Sequence, residues 1–144
     1  MGKVVFVCVH NSGRSQMAEA FFNRLAEGKA TAISAGTRPG ERVNPVVAQV
    51  MKEVGIDISG NRPKMLTFEM VDGADRMITM GCGADAAALC PASFIQTEDW
   101  ALEDPEGKPI EKVREIRDEI KARVAKLVDE LTAKPAQKQL REQS

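Results

Sequence analysis

The sequence predicts a single α/β domain with a four-stranded parallel sheet flanked by helices, on three observations. Apolar segments alternate in type along the chain, with short β-like runs separated by stretches of helical period. The first run, Val4 to Cys8, is apolar without a break, as expected of a central strand covered on both faces. A short polar loop containing one glycine then joins this run to a helix beginning near Ser15.

The elements follow in order. Ser15 to Glu27 reads as a helix because Met17, Phe21 and Leu25 recur four apart with Ala18 and Phe22 beside them. Residues 30–35 form the second strand, ending at Ser34-Ala35-Gly36. Asn44-Pro45 has the form of an N-cap with proline at the first helical position, and Val46, Val47, Val50, Met51 and Val54 carry that helix to Gly55. Ile56 to Lys64 reads as loop, broken by Pro63. A short helix over 67–72, a third strand over Arg76–Met80 and a fourth near Phe94–Thr97 come next. The last helix is the clearest: Ile110, Val113, Ile116, Ile120, Val124, Leu127 and Leu131 recur at steps of three and four, with Arg117, Asp118, Lys121 and Arg123 on a solvated face. Periodicity is lost from about Thr132, so residues 1–132 are expected to form the catalytic domain and 133–144 a frayed polar tail.

Length and composition exclude several classes. The chain has 144 residues, enough for a core without staples, and a net charge of −1, so nothing global points to nucleic acid or an anionic membrane. No apolar run approaches transmembrane length, and the short run after Met1-Gly2-Lys3 is too brief for a signal peptide, so a cytoplasmic protein is expected. Three cysteines in such a chain are no disulfide framework. With one histidine and no Cys-x2-Cys pair, no metal or other cofactor is expected. A monomer is expected.

The chemistry is concentrated after the first strand. Cys8 is followed by Val9, His10, Asn11, Ser12, Gly13, Arg14 and Ser15. A loop of this form, running into a helix N-terminus, aims backbone N–H groups at one point and binds tetrahedral oxyanions. Arg14 adds a planar, permanently charged fork, and Cys8 is placed as a thiolate nucleophile in the same field. With a single glycine and no Gly-Lys-Ser/Thr ending, the loop is not a nucleotide P-loop. The competing reading of Cys8 is a small buried hydrophobe.

In an open α/β sheet, ligands bind at the carboxyl ends of the strands. The segments after strands one, three and four carry Cys8, Cys82 and Asp104 to that edge. Attack by a thiolate on an oxyanion requires protonation of the departing oxygen. Asp104, in a loop stiffened by Pro105 and near a Trp100 able to shield the site, is the candidate acid, with Glu103 as competitor. Cys82 and Cys90 separate two enzyme types. A phosphatase needs one thiolate, whereas a reductase needs further thiols to carry electrons onward by exchange. Eight steps of intact helix span about 12 Å, and bridged Cα atoms lie roughly 4.4–6.8 Å apart. Residues 82–90 must therefore loop or unwind for that bond to form, which Gly81, Gly83 and Ala86-Ala87-Ala88 permit.

Over about residues 3 to 131 the chain resembles the arsenate reductases built on the low-molecular-weight protein tyrosine phosphatase fold. The resemblance is carried by Cys8 through Glu19, Ser34-Ala35-Gly36, Asn44-Pro45, Met51 through Ser59, and Glu98-Asp99-Trp100 leading to Asp104-Pro105. It implies an enzyme of arsenic detoxification in which Cys8 attacks arsenate, Arg14 and the loop amides hold its oxygens, and Asp104 protonates the departing hydroxyl. Ser15 would bond the Cys8 thiolate and Asn11 fix the loop. Cys82 would then attack Cys8 with release of arsenite, and Cys90 would close a final disulfide for thioredoxin. Other relatives use mycothiol with a glutaredoxin-like protein.

The chain departs from that pattern at three places. Seven residues separate Cys82 from Cys90, one more than is usual in thioredoxin-coupled relatives. His10 and Gly13 stand where those relatives often carry glycine and cysteine. Some relatives bind potassium at positions matching Asn11, Glu19 and Ser34, with an aspartate whose place is taken here by Lys64; the Lys64 ammonium is expected to stand in for the ion. Two alternatives remain at this point: a tyrosine phosphatase, although the chain lacks tyrosine altogether, and a non-catalytic oxyanion-binding module.

Overall fold

A computed structural model describes residues 2–80, 96–100 and 102–132. Its elements are β1 (Gly2–Cys8), α1 (Arg14–Ala26), β2 (Ala30–Gly36), α2 (Pro45–Lys52), α3 (Phe68–Asp72), β3 (Arg76–Thr79), β4 (Gln96–Asp99) and α4 (Ile110–Thr132). The strands form one parallel sheet in the order β2-β1-β3-β4. The order reverses at β1, and the site lies beyond the carboxyl end of that strand.

The unbroken apolar run of β1 is explained by its two covered faces. Val4, Phe6 and Cys8 join the core beneath α1, α2 and α4, while Val5 and Val7 meet Val71, Ala74 and Met77 on the other face. Phe6 is fully buried, edge-on to Phe22 at 6.0 Å and tilted against Trp100 at 5.8 Å. The edge strand β2 is partly closed by a side chain: the Asn23 carboxamide both donates to Ala32 O (3.0 Å) and accepts from Ala32 N (2.8 Å), mimicking a neighbouring strand.

Helix starts follow the expected capping chemistry. Asn44 Oδ1 accepts from Val46 N at 2.9 Å with Pro45 at the first helical position, and Thr67 Oγ1 caps α3 through Met70 N at 3.2 Å. α1 differs: its N-cap is Gly13 and no side chain caps it. No side chain therefore competes for its first N–H groups.

Three expectations need correction. Leu25 is 38% exposed whereas Ala26 is buried, because a step of four overshoots the 3.6-residue turn and the stripe drifts round the helix. Arg117 is not on a solvated face: its side chain donates to Val50 O at 2.9 Å and Glu53 Oε1 at 3.0 Å, tying α4 to α2. The fourth strand, expected near Phe94–Thr97, is described over Gln96–Asp99 and runs on past Thr97 because Glu98 and Asp99 pair with Ile78 and Thr79; residues 94–95 lie outside the described residues. The proposed tail, 133–144, lies outside the described residues. Among the described residues no helix is long and apolar enough to cross a membrane.

Candidate active site

The loop after β1 is shaped from outside. Thr37 N donates to Cys8 O (3.2 Å), Arg38 N to Val9 O (2.8 Å), Gly40 N to His10 O (2.9 Å) and Asn44 N to Ser12 O (2.9 Å). The loop's carbonyls are thus taken by this neighbouring segment, while Asn11 N points at Cys8 Sγ, one of the backbone donors an anion nest uses. Gly36 permits the close approach: a Cβ there would lie 2.7 Å from Val9 O and 3.0 Å from Asn11 N. Asn11 has a left-handed φ of 53°, a conformation that asparagine tolerates better than most residues.

Cys8 Sγ lies 2.8 Å from Ser15 Oγ and accepts from Asn11 N at 3.2 Å. Ser15 Oγ accepts from Asn11 Nδ2 at 2.7 Å, and Asn11 Oδ1 accepts from Lys64 N at 2.9 Å. Cys8, Asn11 and Ser15 are all buried. Arg14, also buried, is aimed by a hydrogen bond from Nη1 to Leu102 O (3.1 Å), and its Nη2 lies 3.9 Å from Asp104 Oδ2. Asp104 is half exposed and accepts from Glu106 N at 3.0 Å, so the turn at Pro105 fixes its carboxylate. Cys8, His10, Ser12, Gly13, Arg14 and Asp104 border a cavity of about 420 Å³, completed by residues 40–45 and 105–106. A nucleophile, a cation and a carboxylate on one cavity can perform thiolate substitution at a tetrahedral oxyanion.

Behind the loop, Ser34 Oγ donates to Glu19 Oε1 at 3.0 Å, and Lys64 Nζ lies 3.8 Å from the same oxygen. The acidic position is thus already faced by an ammonium, and a potassium ion beside it would meet a like charge. The residues do not fit a potassium site.

A profile described as low molecular weight phosphotyrosine protein phosphatase matches residues 3–139. The chain belongs to that family. Among its relatives, the glutaredoxin arsenate reductase of Synechocystis sp. is 42% identical over 135 residues, 92% of this chain and 100% of that protein. A solved structure described as an arsenate reductase in the phosphate binding state is similar with a TM-score of 0.80 and 40% identity, over 91% of this chain and 99% of the other. A Corynebacterium glutamicum thioredoxin-dependent arsenate reductase gives a TM-score of 0.77 at 36% identity over 91% of this chain; the alignment spans only 62% of that longer chain.

In this member of the phosphatase family the structure brings together Cys8, the loop through Ser15, Arg14 and Asp104, and places Glu19, Ser34 and Lys64 directly behind them. Cys82 and Cys90 lie outside the described residues. Two expectations fail. Trp100 does not shield the cavity; it is a core residue packed on Phe6, with Arg123 stacked 5.9 Å from its ring. Glu103 is no rival to Asp104, because it pairs with Lys108 (3.4 Å) and Lys112 (3.5 Å) away from the cavity. Sequence reasoning gave no role to Gln16, to Asn61 or to the amides of residues 37–44. The amides carry no sequence signal, whereas Gln16 is a polar residue beside the apolar stripe of α1 and so a visible anomaly.

Proposed function

We propose that this protein is an arsenate reductase that works through a cysteine relay. The supporting observation is the pair of donors placed on Cys8 Sγ, Ser15 Oγ at 2.8 Å and Asn11 N at 3.2 Å, in a cavity that also holds Arg14 and Asp104. The relatives named as arsenate reductases support the choice of substrate.

The reaction proceeds in three steps. The Cys8 thiolate bonds to arsenic, Arg14 and the loop amides hold the remaining oxygens, and Asp104 protonates the departing hydroxyl as water. The Cys82 thiolate next attacks Cys8 Sγ; the S–As bond breaks, its electron pair passes to arsenic, and arsenite leaves. Cys90 then attacks Cys82, freeing the Cys8 thiolate and leaving a Cys82–Cys90 disulfide for thioredoxin. Chain continuity favours this order, since Met80 N is bonded to Val7 O at 2.8 Å and Cys82 follows two residues later. Ser15 and Asn11 keep the nucleophile and loop in place. The Lys64 ammonium does so for Glu19 and Ser34, and replacing potassium by sodium or choline is expected to leave activity unchanged; strong, specific potassium activation would contradict that role.

Turnover of arsenate with thioredoxin, thioredoxin reductase and NADPH tests the reading, with a glutaredoxin–thiol mixture as the competing reductant. Absence of turnover with either sinks it. A tyrosine phosphatase is disfavoured because, among the described residues lining the cavity, there is no Phe or Trp to receive an aryl group, and the chain has no Tyr. Sustained hydrolysis of p-nitrophenyl phosphate without thiol loss would reverse that preference.

A further inference from the structure

We propose that Gln16 is a positioning residue that, together with the backbone N–H of Lys64, holds the Asn11 carboxamide at the head of the hydrogen-bond chain ending on Cys8, and so keeps its sulfur an acceptor. Gln16 is fully buried on the first turn of α1. Its Nε2 lies 3.2 Å from Asn11 O and 3.1 Å from Asn11 Oδ1, while its Oε1 accepts from Asn61 Nδ2 at 3.2 Å. A reversed carboxamide would set its oxygen against two other oxygens, so the amino group must face Asn11.

The consequences run in one direction. Asn11 Oδ1 accepts from Gln16 Nε2 and also from the backbone N–H of Lys64, a donor that cannot be inverted. Both its lone pairs are then engaged, and Asn11 must present Nδ2 to Ser15 Oγ, 2.7 Å away. Ser15 Oγ, accepting there, has its own proton to give, and Cys8 Sγ at 2.8 Å receives it. With Asn11 N also donating, the sulfur takes two hydrogen bonds, an arrangement that suits a thiolate and leaves a thiol proton poorly placed.

Titratable and charged groups border the same cavity as Cys8: Arg14 and His10 from the loop and α1, Glu41 and Arg42 from the segment before α2, and Asp104 and Glu106 from the turn before α4. Lys64 and Glu19 lie behind Asn11. Gln16→Met changes none of these side chains, so a pH-dependent effect reads the hydrogen-bond chain, whereas a loss equal at all pH values reads displacement of the loop that Gln16 Nε2 holds through Asn11 O.

The test is peptide-resolved alkylation of Cys8 by iodoacetamide across pH 6 to 9, in the reduced full-length protein without arsenate. Gln16→Met is expected to slow alkylation about fivefold at pH 6, with rates converging on the parent by pH 9, where any cysteine is largely thiolate. Asn61→Ala, an exposed change that only unanchors the Gln16 carboxamide, is expected to give the same pH signature at about twofold. It decides the matter if Gln16→Met fails to fold. A folded Gln16→Met with the parent profile, or an Asn61→Ala with it where Gln16→Met does not fold, overturns the proposal. So does a loss equal at both pH values. The inference rests on Cys8 being the nucleophile of the proposed reaction. A parent protein with the expected alkylation profile but no arsenate reduction would refute the arsenate reading and leave this one standing.

Discussion

The loop after β1 and the seam between α2 and α4 are both built from polar and charged side chains, yet they use them differently. In the loop, Asn11, Ser15 and Gln16 are fully buried and are hydrogen-bonded to one another or to backbone. In the seam, Glu53 receives Arg114 Nη2 at 2.7 Å and Arg117 Nη1 at 3.0 Å, with Glu53 and Arg114 a third or more exposed. Water can replace a lost partner in the seam but does not reach the Asn11, Ser15 and Gln16 side chains. A missing bond in the loop therefore exposes the full desolvation cost of an orphaned group, whereas exposed ion pairs contribute little and are screened by salt. The loop trades tolerance of mutation for fixed geometry at Cys8, and the seam does the reverse.

Substitutions should sort along that contrast. Cys8→Ser removes the nucleophile while retaining Arg14 and the loop amides, so arsenate reduction should vanish while phosphate binding, read by calorimetry, persists. Asp104→Asn keeps the cavity's shape but not the proton, and should lower kcat by about 10²–10⁴-fold, with phosphate affinity largely retained. Gly36→Ala would push a Cβ to 2.7 Å from Val9 O. A displacement of the loop by even an ångström is expected to cost about 10²-fold in kcat/KM; parent-like activity would show that the loop is not held as rigidly as the contrast requires.

The smallest effect belongs to the seam. Hydrogen bonding from Arg114, with its charge and that of Arg117, holds the Glu53 carboxyl below the ordinary 4.5. A carboxyl depressed in the folded state stabilises it above the unfolded value and loses that contribution as pH falls through the folded one. Glu53→Gln should therefore cause a small fall in denaturation midpoint at neutral pH and low salt, shrinking in high salt and disappearing in acid as pH falls through the lowered folded-state value, with kcat/KM unchanged. A large loss of activity would mean that the seam positions the site after all.

What the sequence reveals follows the same division. The strand order of events from β1 to α4 is legible because burial imposes period: Val4–Cys8 is unbroken since both faces are covered, and Val113, Ile116, Ile120, Val124 and Leu127 repeat because one face is. Cys8, Arg14 and Asp104 are legible because their chemistry is local in type and their convergence follows from the parallel topology. The backbone donors of residues 37–44 are invisible, because every non-proline residue carries the same N–H. The displacement of Trp100 into the core is equally hidden, since burial against Phe6 depends on tertiary packing that no local pattern encodes.

The central claim is an internal relay, and thiol counting tests it most directly. Reduced protein is mixed with arsenate and no external reductant, with phosphate as control, and disulfides are mapped by mass spectrometry. The account predicts loss of two of the three thiols with arsenate alone and a bond between Cys82 and Cys90. Retention of all three thiols in arsenate would contradict it.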